Sequence, residues 1–188
     1  MWFAIVPTVV LAAIAQFVML NLLSHLIPDG HSEIRKYIAF IPLIGAVLGT
    51  VTCVTKIVAV AGLLWLAVTL MDGSLSFQGA ILIAGFAQLT AMLHLLSQLY
   101  ILWIRQLPIG QFRNADIGLN LFVPPDNHFS TLLALVNPFS FWYLVIVFYG
   151  VLSLGKLGPG RSAAVTMIYT IAVVFVVLAK MLFLPTRG

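Results

Sequence analysis

The sequence is poor in charge. Only 7% of its 188 residues are Asp, Glu, Lys or Arg, against roughly 25% in an ordinary soluble domain. A water-facing surface cannot be assembled from so few charges, which excludes a soluble globular domain. Cysteine is nearly missing as well. Cys53 stands alone inside an apolar run, so neither an intrachain disulfide nor a thiolate metal cluster can be built, and it reads as a small packing residue. The five acidic residues all fall in breaks between apolar runs. Paired carboxylates at membrane depth are therefore absent, and so are a His-Glu-x-x-His zinc motif and a serine nucleophile elbow. These absences argue against a hydrolase or transferase; no catalytic residue, metal or cofactor is expected, and the chain reads as a non-enzyme. The nine Lys and Arg are scattered over several breaks instead of forming a patch with interleaved aromatics, so nucleic acid is excluded as a partner. Met1-Trp2-Phe3 offers no basic n-region and no small-residue cleavage site follows, so the first apolar run is expected to be a retained anchor.

What the chain has in abundance is apolar sequence, 62% of its residues. A bilayer core of about 30 Å is crossed by about 20 apolar residues in a helix. The pattern predicts an all-α membrane protein, a bundle of about five transmembrane helices in one domain over residues 1–188, with spans at about 2–27, 37–71, 77–105, 138–155 and 162–184. Six spans are the alternative, because the run from Tyr37 to Met71 is too long for one straight crossing at about 1.5 Å per residue. A hairpin near Lys56 would leave one piece short for a span, and Thr55-Lys56 lacks the Gly, Pro or Asn of a tight turn. One long helix, tilted or kinked near Pro42 and partly outside the hydrocarbon, is the better reading.

Local signals punctuate the rest. Pro28-Asp29-Gly30 ends the first run, Asp72-Gly73-Ser74 makes a tight turn, and Ser76 is the expected N-cap of the third helix. Residues 108–128 read as an ordered polar loop, and 129–136 as a short apolar segment in the interface. Asn137-Pro138 is a helix start, with asparagine as cap and proline at the first helical position. Gly158-Pro159-Gly160 is expected to turn the chain into the last span. Arg35, Lys36, Arg105, Arg113, Lys180 and Arg187 then lie on one side, and only Lys156 and Arg161 on the other, which favours an outside N-terminus and a cytoplasmic C-terminus.

Buried polarity is the one pointer to a site. On the third helix Thr90, His94, Ser97, Gln98 and Arg105 fall within about a third of the circumference, a stripe expected to face protein. Such groups can serve as proton relays, ligand contacts or axial haem ligands. The plainer reading, which we prefer, is interhelical hydrogen bonding worth about 0.6 kcal/mol. His25, with Asn21 and Ser24 near the end of the first span, could in principle pair with His94 around a haem, although helix-end histidines are more often interfacial polar groups. His31 and His128 fall in breaks and read as solvated. Gly45 and Gly49 form a G-x-x-x-G segment that lets helices approach closely, within the chain in preference to between copies. Lys56 reads as a snorkelling residue of a helix longer than the membrane; the sharper alternative is a substrate or lipid-headgroup contact.

Two segments carry a resemblance. One is Leu70-Met71-Asp72-Gly73-Ser74-Leu75-Ser76-Phe77-Gln78 followed by Gly85-Phe86; the other is Asn137-Pro138-Phe139-Ser140-Phe141-Trp142 with Gly150, Lys156 and Gly160-Arg161-Ser162-Ala163-Ala164. With these the chain resembles the Yip1-domain family of five-span membrane proteins. Thr90 stands about where family members often carry a proline in the third span. Eukaryotic members have a hydrophilic segment before the first span and are linked to small-GTPase binding; here the chain opens directly on its first span, so that role is not expected. Family topology implies a cytoplasmic N-terminus, against the charge count, which we follow. The resemblance implies a membrane-embedded scaffold of bacterial type without known catalysis, in the inner membrane. Its partners would be membrane lipids, other membrane proteins or a second copy, met through the transmembrane helices. The rival expectations are an accessory subunit of a larger transport or redox complex, holding a cofactor through His94 or His25, and a small transporter.

Overall fold

The computed structural model describes residues 5–14, 17, 41–105, 117–122 and 130–183. The described elements, all helical, are α1 (Ile5–Ile14), α2 (Ile41–Leu70), α3 (Phe77–Arg105), a 3-10 turn (Leu119–Phe122), α4 (Ser130–Leu133), α5 (Pro138–Leu154) and α6 (Pro159–Phe183). Three stretches are long and apolar enough to cross a bilayer: Leu43–Leu70, Phe77–Arg105 and Pro159–Ala179. Two shorter apolar helices, Ile5–Ile14 and Pro138–Leu154, accompany them. The protein is an all-α bundle integral to a membrane. Most of the first expected span, His25 included, lies outside the described residues, as do most of the polar loop, Arg35, Lys36 and the C-terminal residues.

Helix α2 is continuous through Lys56, with the Thr55 hydroxyl donating to the Val51 carbonyl at 2.8 Å, so no hairpin interrupts it. Pro42 falls in its first described turn. Its 30 residues rise about 45 Å, more than a bilayer core of about 30 Å can cover. Helix α5 is the opposite case: its 17 residues rise about 26 Å and just fit.

Caps follow the sequence closely. Asn137 adopts an extended backbone, its side-chain oxygen accepts from the Ser140 N–H at 2.8 Å, and its amide donates to the Ala134 carbonyl at 2.8 Å. Ser76 accepts from the Gly79 N–H at 3.1 Å. The last helix departs from expectation, starting at Pro159 and not at 162. Proline preset for the first helical position opens it, and the Ser162 N–H already donates to the Gly158 carbonyl at 3.0 Å.

The core runs where small residues let helices meet. Ala80, Ile83, Ala84 and Ala87 of α3 pack with Ala61, Leu64 and Val68 of α2 and with Val147 and Val151 of α5, while Val165 and Tyr169 bring in α6. Helix α3 is the hub, its most extensive contacts being with α5 and α2. A β-carbon on Gly150 would stand 2.7 and 2.9 Å from Ile83, so the α3–α5 crossing depends on that glycine. The outer faces are as apolar as the core: Met167, Ile171 and Phe175 of α6 are all exposed, as acyl-chain solvation allows.

Both inter-helix turns lie at one end of the bundle. The Ser74 N–H donates to the Gly155 carbonyl at 3.1 Å, and the Arg161 guanidinium donates to the Met71 carbonyl at 3.2 Å. Gly73 is required there, since a β-carbon would run into the Val68 side chain and lie 2.9 Å from Leu157. The charges of Asp72, Lys156 and Arg161 mark this end as an aqueous face.

Candidate functional site

A cleft of about 570 Å³ opens between α2 and α3. From α2 it is lined by Gly45, Leu48, Gly49, Thr52, Cys53 and Lys56, residues recurring at three- and four-residue spacing along one helix face. From α3 come Gln88, Ala91, Met92, His94, Leu95 and Gln98, and α1 closes one side with Ala12. The Thr8 hydroxyl of α1 donates to the Gly85 carbonyl at 3.1 Å, which seats that helix against α3. Among the described residues the polar lining is thus one ammonium, one imidazole, two carboxamides, one hydroxyl and the Cys53 thiol, with no carboxylate.

Of the residues singled out in sequence, His94, Gln98, Lys56, Gly45 and Gly49 meet here. Thr90 and Ser97 do not line the cleft. The Thr90 hydroxyl donates to the Ala87 carbonyl at 2.7 Å and the Ser97 hydroxyl to the Leu93 carbonyl at 2.8 Å, both within their own helix. Arg105 lies exposed at the end of α3. The polar face that lines the cleft is rotated by roughly a quarter turn from the stripe centred on Thr90 and His94, toward Gln88. Gln88 was not picked out by sequence, although it stands at the head of the series Gln88, Met92, Leu95, Gln98.

His94 also faces a second element. Its ring stacks on Phe139 of α5, with centroids 5.2 Å apart and planes 20° apart. Phe139 in turn lines a smaller cavity of about 180 Å³ between α3, α5 and α6, where Tyr143 and Tyr169 stack at 5.6 Å. Ala91 borders both cavities, so the His94–Phe139 stack and the α3 backbone form the wall between them.

Depth follows from helical rise. Measured from the end marked by the two turns, Lys56 stands about 21 Å along α2, His94 about 26 Å and Gln98 about 32 Å along α3. Asn137, which caps the far end of α5, stands at about 26 Å on the same scale. Gln88 stands at only about 17 Å, so the cleft runs from near the middle of a core of about 30 Å to the opposite interface. Lys56 is exposed, and its stem can carry the ammonium outward into the headgroup region.

Among the described residues no group of three His, Cys, Asp or Glu is placed to hold a metal ion. The suggested pairing of His25 with His94 involves a residue outside the described part of the chain.

No curated protein and no solved structure matches the chain. The Yip1 domain family does, over residues 1–181. That match takes in α1 to α5, nearly all of α6 and every residue of the cleft. The chain belongs to the Yip1 domain family.

Proposed function

We propose that this protein is a non-enzymatic scaffold that works by binding within the membrane plane, through the first half of α2 and the cleft beside it. One observation carries the reading. Leu43, Ile44, Val47, Leu48, Val51 and Val54 are all exposed, with Cys53 buried among them, whereas the second half of the same helix, though it also exposes Val58, Trp65, Leu66 and Leu70, buries Ala61, Leu64, Ala67 and Val68 against its neighbours. Half of a long helix thus presents an open face at the membrane level where the cleft opens. Gly45 and Gly49 lie on the other, cleft-facing side of that half, where they allow a close approach. The cleft chemistry suits recognition: a cation, amides and an imidazole can hold a ligand in a fixed orientation without a paired acid and base to transform it. Its partners are lipids, other membrane proteins or a second copy, and we place it in a bacterial inner membrane with the cleft toward the cytoplasm, as the Lys and Arg distribution favours.

Purification in mild detergent tests this. The expected result is a discrete complex, with a partner or a second copy, that dissociates in a Gly45→Leu/Gly49→Leu double variant. A protein that stays alone at all concentrations, or one that turns over a substrate, would overturn it.

A small transporter is the second reading, favoured by the two cavities on either side of the His94–Phe139 stack. Solute flux in proteoliposomes, lost on His94→Ala, would support it, and no flux across ion and lipid classes would remove it.

A further inference from the structure

We propose that the cleft between α2 and α3 is a binding site for an anionic phospholipid, with the Lys56 ammonium engaging the headgroup phosphate. The proposal rests on the reading of this cleft as a recognition site and names its occupant.

Three observations converge. The first is charge: among the described residues lining the cleft Lys56 is the one formal charge, and none of them is a carboxylate. The carboxamide of Gln98 and the hydroxyl of Thr52 add hydrogen-bond donors that an acceptor-rich phosphate can use. The second is depth. Lys56, His94 and Gln98 lie at about 21 to 32 Å of helical rise from the turn end, in the far half of a core of about 30 Å, and the Lys56 stem carries its ammonium further outward. That reach brings the ammonium toward the lipid phosphates of the far leaflet. The third is the wall. Leu48, Met92 and Leu95 supply an apolar lining on which an acyl chain can lie, and Leu48 is itself exposed at the edge of the cleft. A soluble phosphate would use only the polar half of this cleft; a phospholipid uses both halves.

The Lys and Arg distribution places this end of the bundle on the cytoplasmic side, where leaflets carry anionic lipid and a basic residue near the surface gains from it.

The test uses the full chain, incorporated in vesicles of equal phosphatidylglycerol and phosphatidylcholine, extracted in mild detergent, washed, and read by native mass spectrometry. The wild type is expected to retain phosphatidylglycerol over phosphatidylcholine by about five- to tenfold, the scale of one cation near the membrane surface. Lys56→Met, an apolar change at an exposed position, should bring the ratio to about one, and Lys56→Arg should keep it. Leu48→Trp, which fills the cleft and leaves the charge in place, should lower retention as well, so the inference does not hang on one variant folding. A second arm adds inorganic phosphate to lipid-stripped protein and reads the thermal midpoint. No Lys56-dependent rise is expected; such a rise would assign the cleft to a soluble anion and overturn the lipid proposal. Equal retention of both lipids by the wild type, or a preference unchanged in Lys56→Met and in Leu48→Trp, would also overturn it, while leaving the protein-contact reading of α2 to its own experiment.

Discussion

The imidazole of His94 on α3 lies nearly parallel to the ring of Phe139 on α5, with centroids 5.2 Å apart. This contact joins the cleft to the first turn of α5, two residues beyond the Asn137 cap. A stacked pair of this kind contributes about 0.5–1.5 kcal/mol beyond its buried area. His94→Ala should therefore lower stability in detergent by about 1 kcal/mol, and His94→Phe should recover most of it. Thermal unfolding of the three proteins measures this; equal midpoints for Ala and Phe variants would show that the stack contributes nothing.

Asn137 is the second joint at that end. Its side chain satisfies the Ser140 N–H and reaches back to the Ala134 carbonyl, so Asn137→Ala removes both bonds. The cost should be about 1 kcal/mol, with Asn137→Ser or Asn137→Asp costing less. Hydrogen exchange should rise at the first turn of α5 and stay unchanged near Gly155.

Gly150 sets the closest approach of α3 and α5. Gly150→Ala would drive a methyl into Ile83, and overpacking of this kind costs about 1–3 kcal/mol. Ile83→Ala alone leaves a cavity in the core and is destabilising too. The double variant should be more stable than the sum of the two losses, a non-additivity that a double-mutant cycle reads directly. Strict additivity would mean that the two positions do not touch.

Much of the architecture was legible in the sequence because backbone chemistry leaves short signatures. Ser76 and Asn137-Pro138 announced two helix starts, and the missing turn residues at Thr55-Lys56 announced a continuous α2. The start of α6 was harder, since Gly158-Pro159-Gly160 carries a turn signal and a first-helical-position proline at once, and the helix took the latter. The site was only half legible. In water, an apolar stripe tells which face of a helix is buried; in lipid the outer face is equally apolar, as exposed Ile171 and Phe175 show, and that contrast vanishes. Polar residues were then the guide, and Thr90 and Ser97 stand outside the cleft with hydroxyls satisfied by their own helix at 2.7 and 2.8 Å. Gln88 and the glycines of α2 acquire meaning only when α2 and α3 are side by side.

Which side the cleft faces is open to a direct check. With Cys53 replaced by Ala, a cysteine at Asp72 should react with a charged thiol reagent from outside the cell, and one at Arg105 only after the cytoplasmic face is opened. Reversed accessibility would invert the orientation and place the cleft in the outer leaflet.

The central claim is that the open half of α2, with its cleft, is where this Yip1-domain protein meets its partners. Photo-crosslinking in native membranes from a benzophenone side chain at Val47, compared with one at Ile171 on the far face of α6, tests it most directly; both positions are exposed. The account predicts discrete, saturable adducts from Val47 and only diffuse lipid labelling from Ile171. The same diffuse labelling from both positions would contradict it.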